Sequence, residues 1–93
     1  MIYEFKPSFD RSVKAFPENT KKDVKQICTV LIDIVSGHAD ISKGMGLKKL
    51  HGHFWEVRKG LKTRILFQWD KDHITFVLAG THNDIKKHLK AVP

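Results

Sequence analysis

Residues Leu47–Phe67, LKKLHGHFWEVRKGLKTRILF, decide how this chain folds. They read as a basic lead-in, a strand, a glycine-containing turn and a second strand. In HFWEVR and TRILFQW the alternation has a period of two, which places Trp55, Val57, Ile65, Phe67 and Trp69 on one face. Phe54, Glu56, Arg58, Arg64, Leu66 and Gln68 then share the other. The first face can be buried and the second carries the charge. Cross-strand neighbours share a face, so pairing Val57 with Ile65 and Arg58 with Arg64 requires an odd number of residues in the connection around Gly60. A two-residue turn would set Val57 against Arg64 and drive charge into the core. The odd loop leaves two guanidinium groups side by side on a solvent-facing sheet surface, a costly arrangement unless an anion such as phosphate sits between them.

Upstream, Ile2 to Phe5 reads as a short strand ended by Pro7, which cannot donate a hydrogen bond inside a sheet. A helix follows, with Ser8 as its N-cap and Phe9, Val13 and Phe16 as its apolar stripe. Pro17 stops it and suits the first turn of a second helix, in which Val24, Ile27, Cys28, Leu31, Ile34 and Val35 recur at helical spacing until Ser36-Gly37. The two helices form an antiparallel hairpin. His38 to Gly46 is polar and glycine-rich, a loop with one weak helical turn around Ile41. Downstream, Asp70 to His73 is a turn and ITFVLAG a central strand covered on one face. Thr81, His82, Asn83 and Asp84 offer caps for a short basic helix, IKKHLKAV. The expected fold class is α+β: an N-terminal strand, an antiparallel helical hairpin, a three-stranded antiparallel meander and a short C-terminal helix. The helices should pack on one face of a sheet of about four strands, in a single domain over residues 1–93.

Ninety-three residues suit one core, and 17 Lys and Arg against 10 Asp and Glu give a formal charge of +7, which favours polyanionic partners. The single cysteine, Cys28, excludes an intrachain disulfide and sits where a thiol packs as a small apolar group. With no signal peptide and no apolar run near the roughly 20 residues needed to cross a bilayer, a cytoplasmic protein is expected. The six histidines form no convincing metal pair, since His51 and His53 are one residue apart and His82 and His88 are too far apart along the chain. Neither a metal nor another cofactor is called for.

The segments IYEFKPSFDRSVKAF, GLKKLHG, FWEVR, TRILF and LAGTHNDIKKHLK, taken in this order, resemble the RelE/ParE superfamily of toxin-antitoxin toxins over almost the whole chain. The run GLKKLHGHFWEVR followed by a second arginine strand carries most of the likeness. The resemblance implies a twisted sheet with two helices on one side and the active surface on the other. It also implies a cognate antitoxin that wraps or caps the toxin. In the RelE branch the activity implied is endoribonuclease cleavage of mRNA, commonly on the ribosome, and so inhibition of translation. In the ParE branch it is poisoning of DNA gyrase. Arg64 matches the family's phosphate-contacting arginine, and Arg58 matches the end of the preceding strand, where a basic residue is frequent. Glu56 stands where the best-known RelE toxins place a catalytic lysine, and their C-terminal tyrosine has no match. GTHNDI is instead similar to the Gly-Ser/Thr-His segment of relatives that employ a histidine.

RNA cleavage through side chains needs a base for the 2′-hydroxyl, a cation on the phosphate oxygens and an acid for the departing 5′-oxygen. Arg64 and Arg58 suit the cation, and His82 suits either proton transfer because histidine titrates near neutrality. Glu56 is a general base or, more simply, an ion-pair partner of Arg58. Lys48, Lys49, His51 and His53 form a basic run able to follow an RNA backbone, to which Lys86 and Lys87 add, while Phe54 on the open face is placed to stack on a base. Trp55 and Trp69 read as core. A gyrase inhibitor would need no proton-transfer pair, and a non-catalytic RNA-binding module would tolerate loss of His82.

Overall fold

The computed structural model describes residues 2–37, 45–59 and 63–91. In chain order the elements are β1 (Ile2–Phe5), α1 (Pro7–Lys14), α2 (Glu18–Val35), β2 (Met45–Lys49), β3 (Phe54–Lys59), β4 (Arg64–Asp70), β5 (His73–Gly80) and α3 (His82–Ala91). The strands form one sheet in the order β1-β5-β4-β3-β2, with β1 parallel to β5 and every other pair antiparallel. The α+β class and its succession of strand, helical hairpin, meander and terminal helix are as expected.

The β3–β4 register pairs Val57 with Ile65 and Arg58 with Arg64, so the connection has the odd length that the facing argument demands. The Gly60 turn lies outside the described residues, as do most of the loop expected from His38 and the helical turn at Ile41. One element was not expected. The basic lead-in is a fifth strand, β2, which pairs along β3 from Met45↔Lys59 to Lys49↔Trp55. Its own sequence, MGLKK, has little strand propensity. Burial of Met45 and Leu47 against the core and pairing with β3 make it a strand.

The helices α1 and α2 cover one face of the sheet. Phe9, Val24, Ile27, Cys28 and Leu31 pack there against Val57, Ile65, Phe67, Ile74 and Phe76. Each such side chain, once fully buried, contributes about 1.5–3 kcal/mol. Gly37, at φ +79°, supplies the left-handed residue that closes α2. Burial pushes the Cys28 thiol up from 9.0 to about 12. The folded thiol thus holds its proton to higher pH than the unfolded one. Its contribution to stability is complete below the ordinary thiol pKa and is lost as pH rises through the window from 9.0 to about 12. Urea unfolding between those limits should show a decline with a component of up to about 1.4 kcal/mol per pH unit that the Cys28→Ala variant lacks.

α1 also closes an edge. β1 pairs only with His73–Phe76 of β5, which leaves the polar groups of Val77 to Ala79 facing outward. The chain continues the ladder without a strand. Lys6 N–H donates to the Phe76 carbonyl at 2.9 Å, Ser8 Oγ donates to the Val77 carbonyl at 2.6 Å, and Ala79 N–H donates to Ser12 Oγ at 3.0 Å. Ser8 is therefore not the N-cap that its position suggested. Lys6 occupies the cap without a side-chain bond, Pro7 opens the helix, and the Ser8 hydroxyl goes to the sheet. Ser12→Ala should cost about 1–3 kcal/mol in denaturant unfolding, because the buried Ala79 N–H would lose its acceptor.

The second face is only partly open, which corrects the expectation of a solvent-facing surface. A bulge in β5 between the Leu66 and Phe67 pairings lets Val77 and Leu78 both join a second apolar cluster, with Leu66 and Ile85 and with half-buried Leu50, Phe54 and Leu89. ITFVLAG is apolar except at Thr75 because β5 is buried on both faces, by α1 and α2 on one side and by α3 on the other.

Candidate active site

Strand register builds the site as two rows across β2, β3, β4 and β5. One row runs Gly46, Arg58, Arg64, Gly80, and the next runs Lys48, Glu56, Leu66, Leu78. The glycines at the ends of the arginine row make space. A Cβ on Gly46 would stand 3.0 Å from Arg58 Nε, so the Arg58 side chain lies across a strand that has nothing in its way. A Cβ on Gly80 would meet the Asp84 carboxylate at 2.7 Å.

That carboxylate forms a capping box. Thr81 N–H donates to Asp84 Oδ2 at 2.9 Å, and Asp84 N–H donates to Thr81 Oγ1 at 3.2 Å. Hydrogen bonds to the carboxylate from the backbone and side chain of Thr81, helped by nearby Lys87, hold the Asp84 carboxyl below its usual range. With Thr81 and Asp84 doing the capping, His82 at the first position of α3 is left free. Its Nδ1 lies 3.5 Å from Arg64 Nη1. A guanidinium only donates, so in this contact Nδ1 is the acceptor and Nε2 is left for another partner.

Arg64 Nη1 also donates to Glu56 Oε1 at 3.0 Å. Glu56 is 5% exposed and is the one buried charged residue among those described. The ion pair expected between Glu56 and Arg58 is thus a pair with Arg64 instead, formed diagonally across β3 and β4. This also corrects the picture of two guanidinium groups waiting for an anion. Arg58 and Arg64 are cross-strand neighbours, but Glu56 balances Arg64 internally while exposed Arg58 reaches toward β2. Arg64 Nε is buried without a hydrogen-bond partner among the described residues, a cost the fold bears at this position.

The basic run is divided by the alternation of β2. Lys48 pairs with Glu56 and joins the arginine face, whereas Lys49 pairs with Trp55 on the helix face. His51 and His53 are exposed in the turn before β3, roughly 17 Å along the hairpin from the arginine row. Phe54 is not open for stacking; it packs against Leu66, Val77 and Ile85. Lys86 and Lys87 are exposed on α3, one turn beyond His82. Among the described residues no group of three or more His, Cys, Asp or Glu side chains is placed to hold a metal ion, and no helix is long and apolar enough to cross a membrane.

No protein-family model matches the chain, and no curated protein matches it. Solved structures do. The RelB-RelE antitoxin-toxin complex from Methanococcus jannaschii aligns over 90% of this chain and 95% of that one, at 20% identity and a TM-score of 0.64. YafQ from E. coli aligns over 89% and 94%, at 12% identity and a TM-score of 0.69. The YoeB dimer from Staphylococcus aureus aligns over 88% and 97%, at 25% identity and a TM-score of 0.64. The chain has the RelE-like toxin fold.

Within this RelE-like frame, the supports are the residues least legible in the sequence: Gly46 carries no signal there, and Thr81 and Asp84 read only as helix caps. Gly46, Thr81 and Asp84 position Arg58 and free His82. The register allows the Glu56–Arg64 pairing without selecting it over Arg58, since Glu56 faces Leu66 and Arg64 is two residues from Leu66 on the same face. The covering of that face by α3 had one signal, an apolar Leu66 among charged neighbours.

Proposed function

We propose that this chain is the toxin of a toxin-antitoxin pair and that it acts as an endoribonuclease on mRNA held by the ribosome. The observation that carries the reading is the convergence of Glu56, Arg64 and His82 from β3, β4 and the start of α3 on one face. Arg64 is pre-aimed by a buried carboxylate and stabilises negative charge growing on the phosphate. His82 exchanges protons with the reacting oxygens. The 2′-oxygen loses its proton and bonds to phosphorus, and the 5′-oxygen leaves with a proton, giving a cyclic phosphate and a free 5′-hydroxyl. Arg58 and Lys48 extend the cationic surface along the RNA backbone. Glu56, buried against Arg64, is a positioning residue. The likeness to a toxin solved with its antitoxin, together with a +7 charge, supports an acidic antitoxin segment that folds on this surface and silences it.

The test is to induce the protein in cells and map mRNA ends against reading frame, with a neighbouring gene product sought by copurification. Cuts in phase with codons of translated messages are the expected result. Intact messages with gyrase trapped on DNA would replace this reading with the ParE-like one. Bound but uncut RNA, unchanged by His82→Ala, would leave a non-catalytic RNA-binding module.

A further inference from the structure

The alternation that places Arg64 on one face sends Lys49, Trp55 and Trp69 to the other, where they meet His53 and Lys71 around a shallow groove of about 320 Å³ over Gly52. The indoles are half-buried and tilted, with centroids 5.2 Å apart and planes at 56°. Lys49, His53 and Lys71 are all exposed, and no carboxylate among the described residues lines the groove. Trp69 is fixed by donation from its indole N–H to the Lys71 carbonyl at 3.2 Å. Lys71 itself has φ 52°, a left-handed conformation that glycine or asparagine adopts with less strain. A lysine thus stands where the backbone would favour another residue, at the rim of the groove that both indoles line.

We propose that Trp55 and Trp69, with Lys49, His53 and Lys71, form a second RNA contact, a stacking shelf for an unpaired stretch of a strand other than the one being cut. Indole faces bind bases with little regard to sequence, and flanking cations take the phosphates. The shelf lies on the back of the sheet that carries the arginine row, so one short strand cannot lie along both. The proposal rests on the RNA reading above, but its test does not require cleavage.

The chain has two tryptophans, both in this groove, so fluorescence excited selectively at tryptophan reports on the groove alone. Titration with a single-stranded 2′-O-methyl oligouridine, which cannot be cut, should quench that fluorescence saturably. The Lys49→Ala/Lys71→Gly variant should bind about tenfold more weakly, with a salt dependence shallower by about one unit of slope. Its melting temperature should not fall, because Lys71→Gly relieves the turn. Lys14→Ala/Lys22→Ala removes the same charge from α1 and α2 and should leave the midpoint near that of the parent. Four results would each overturn the shelf: no quenching, equal weakening by the α1 and α2 variant, an equal shift on Arg58→Ala, or quenching by an acidic peptide in place of the oligonucleotide. Retained quenching in a protein that cuts no message would defeat the nuclease reading and leave the shelf standing.

Discussion

Arg64→Ala is expected to reduce message cleavage by on the order of a hundredfold or more, as removal of one preorganised electrostatic group does. It should also destabilise the protein. Arg64 is the hydrogen-bond partner of Glu56, which is 5% exposed. Removing the guanidinium leaves that carboxylate buried and unpaired, at a cost of about 3 kcal/mol. The two effects separate in the Arg64→Ala/Glu56→Gln variant, where a neutral amide replaces the stranded charge. Denaturant unfolding should recover most of the stability. Cleavage of messages on translating ribosomes should not recover. If the double variant regained both, the single variant's inactivity would be a folding defect and Arg64 would have no part in charge stabilisation.

His82→Ala should cost about 10² to 10⁴ in cleavage rate, the range for loss of a general acid or base. Its melting temperature should stay near that of the parent. That combination follows from the capping box, because Thr81 and Asp84 satisfy the start of α3 without the imidazole. The pH dependence of cleavage adds a readout that a structural role would not move: the parent's profile should change shape in the variant while the profile of Arg64→Lys keeps the parent's shape at a lower rate. Full activity in His82→Ala would transfer proton exchange to Glu56. His51 and His53, at the far end of the hairpin, are too distant to take it over.

The residues themselves determined the hairpin and its facing. Strict alternation in FWEVR and TRILF, with an odd connection between them, fixes Arg58 opposite Arg64, and the observed register agrees. The same local patterns placed both helices, their break at Pro17 and the cap at Gly37, because periodicity and backbone restriction act within a few residues. What only the tertiary structure decided depends on partners distant in the sequence. MGLKK becomes a strand because β3 is beside it. Ser8 turns from helix capping to edge closure, joined by Ser12, because β1 ends at Phe5 and leaves β5 unpaired above it. Glu56 goes to Arg64 because tertiary packing leaves it 5% exposed with the Arg64 guanidinium at 3.0 Å. An ion pair in water is nearly indifferent to its partner, whereas a buried carboxylate must take the donor within reach.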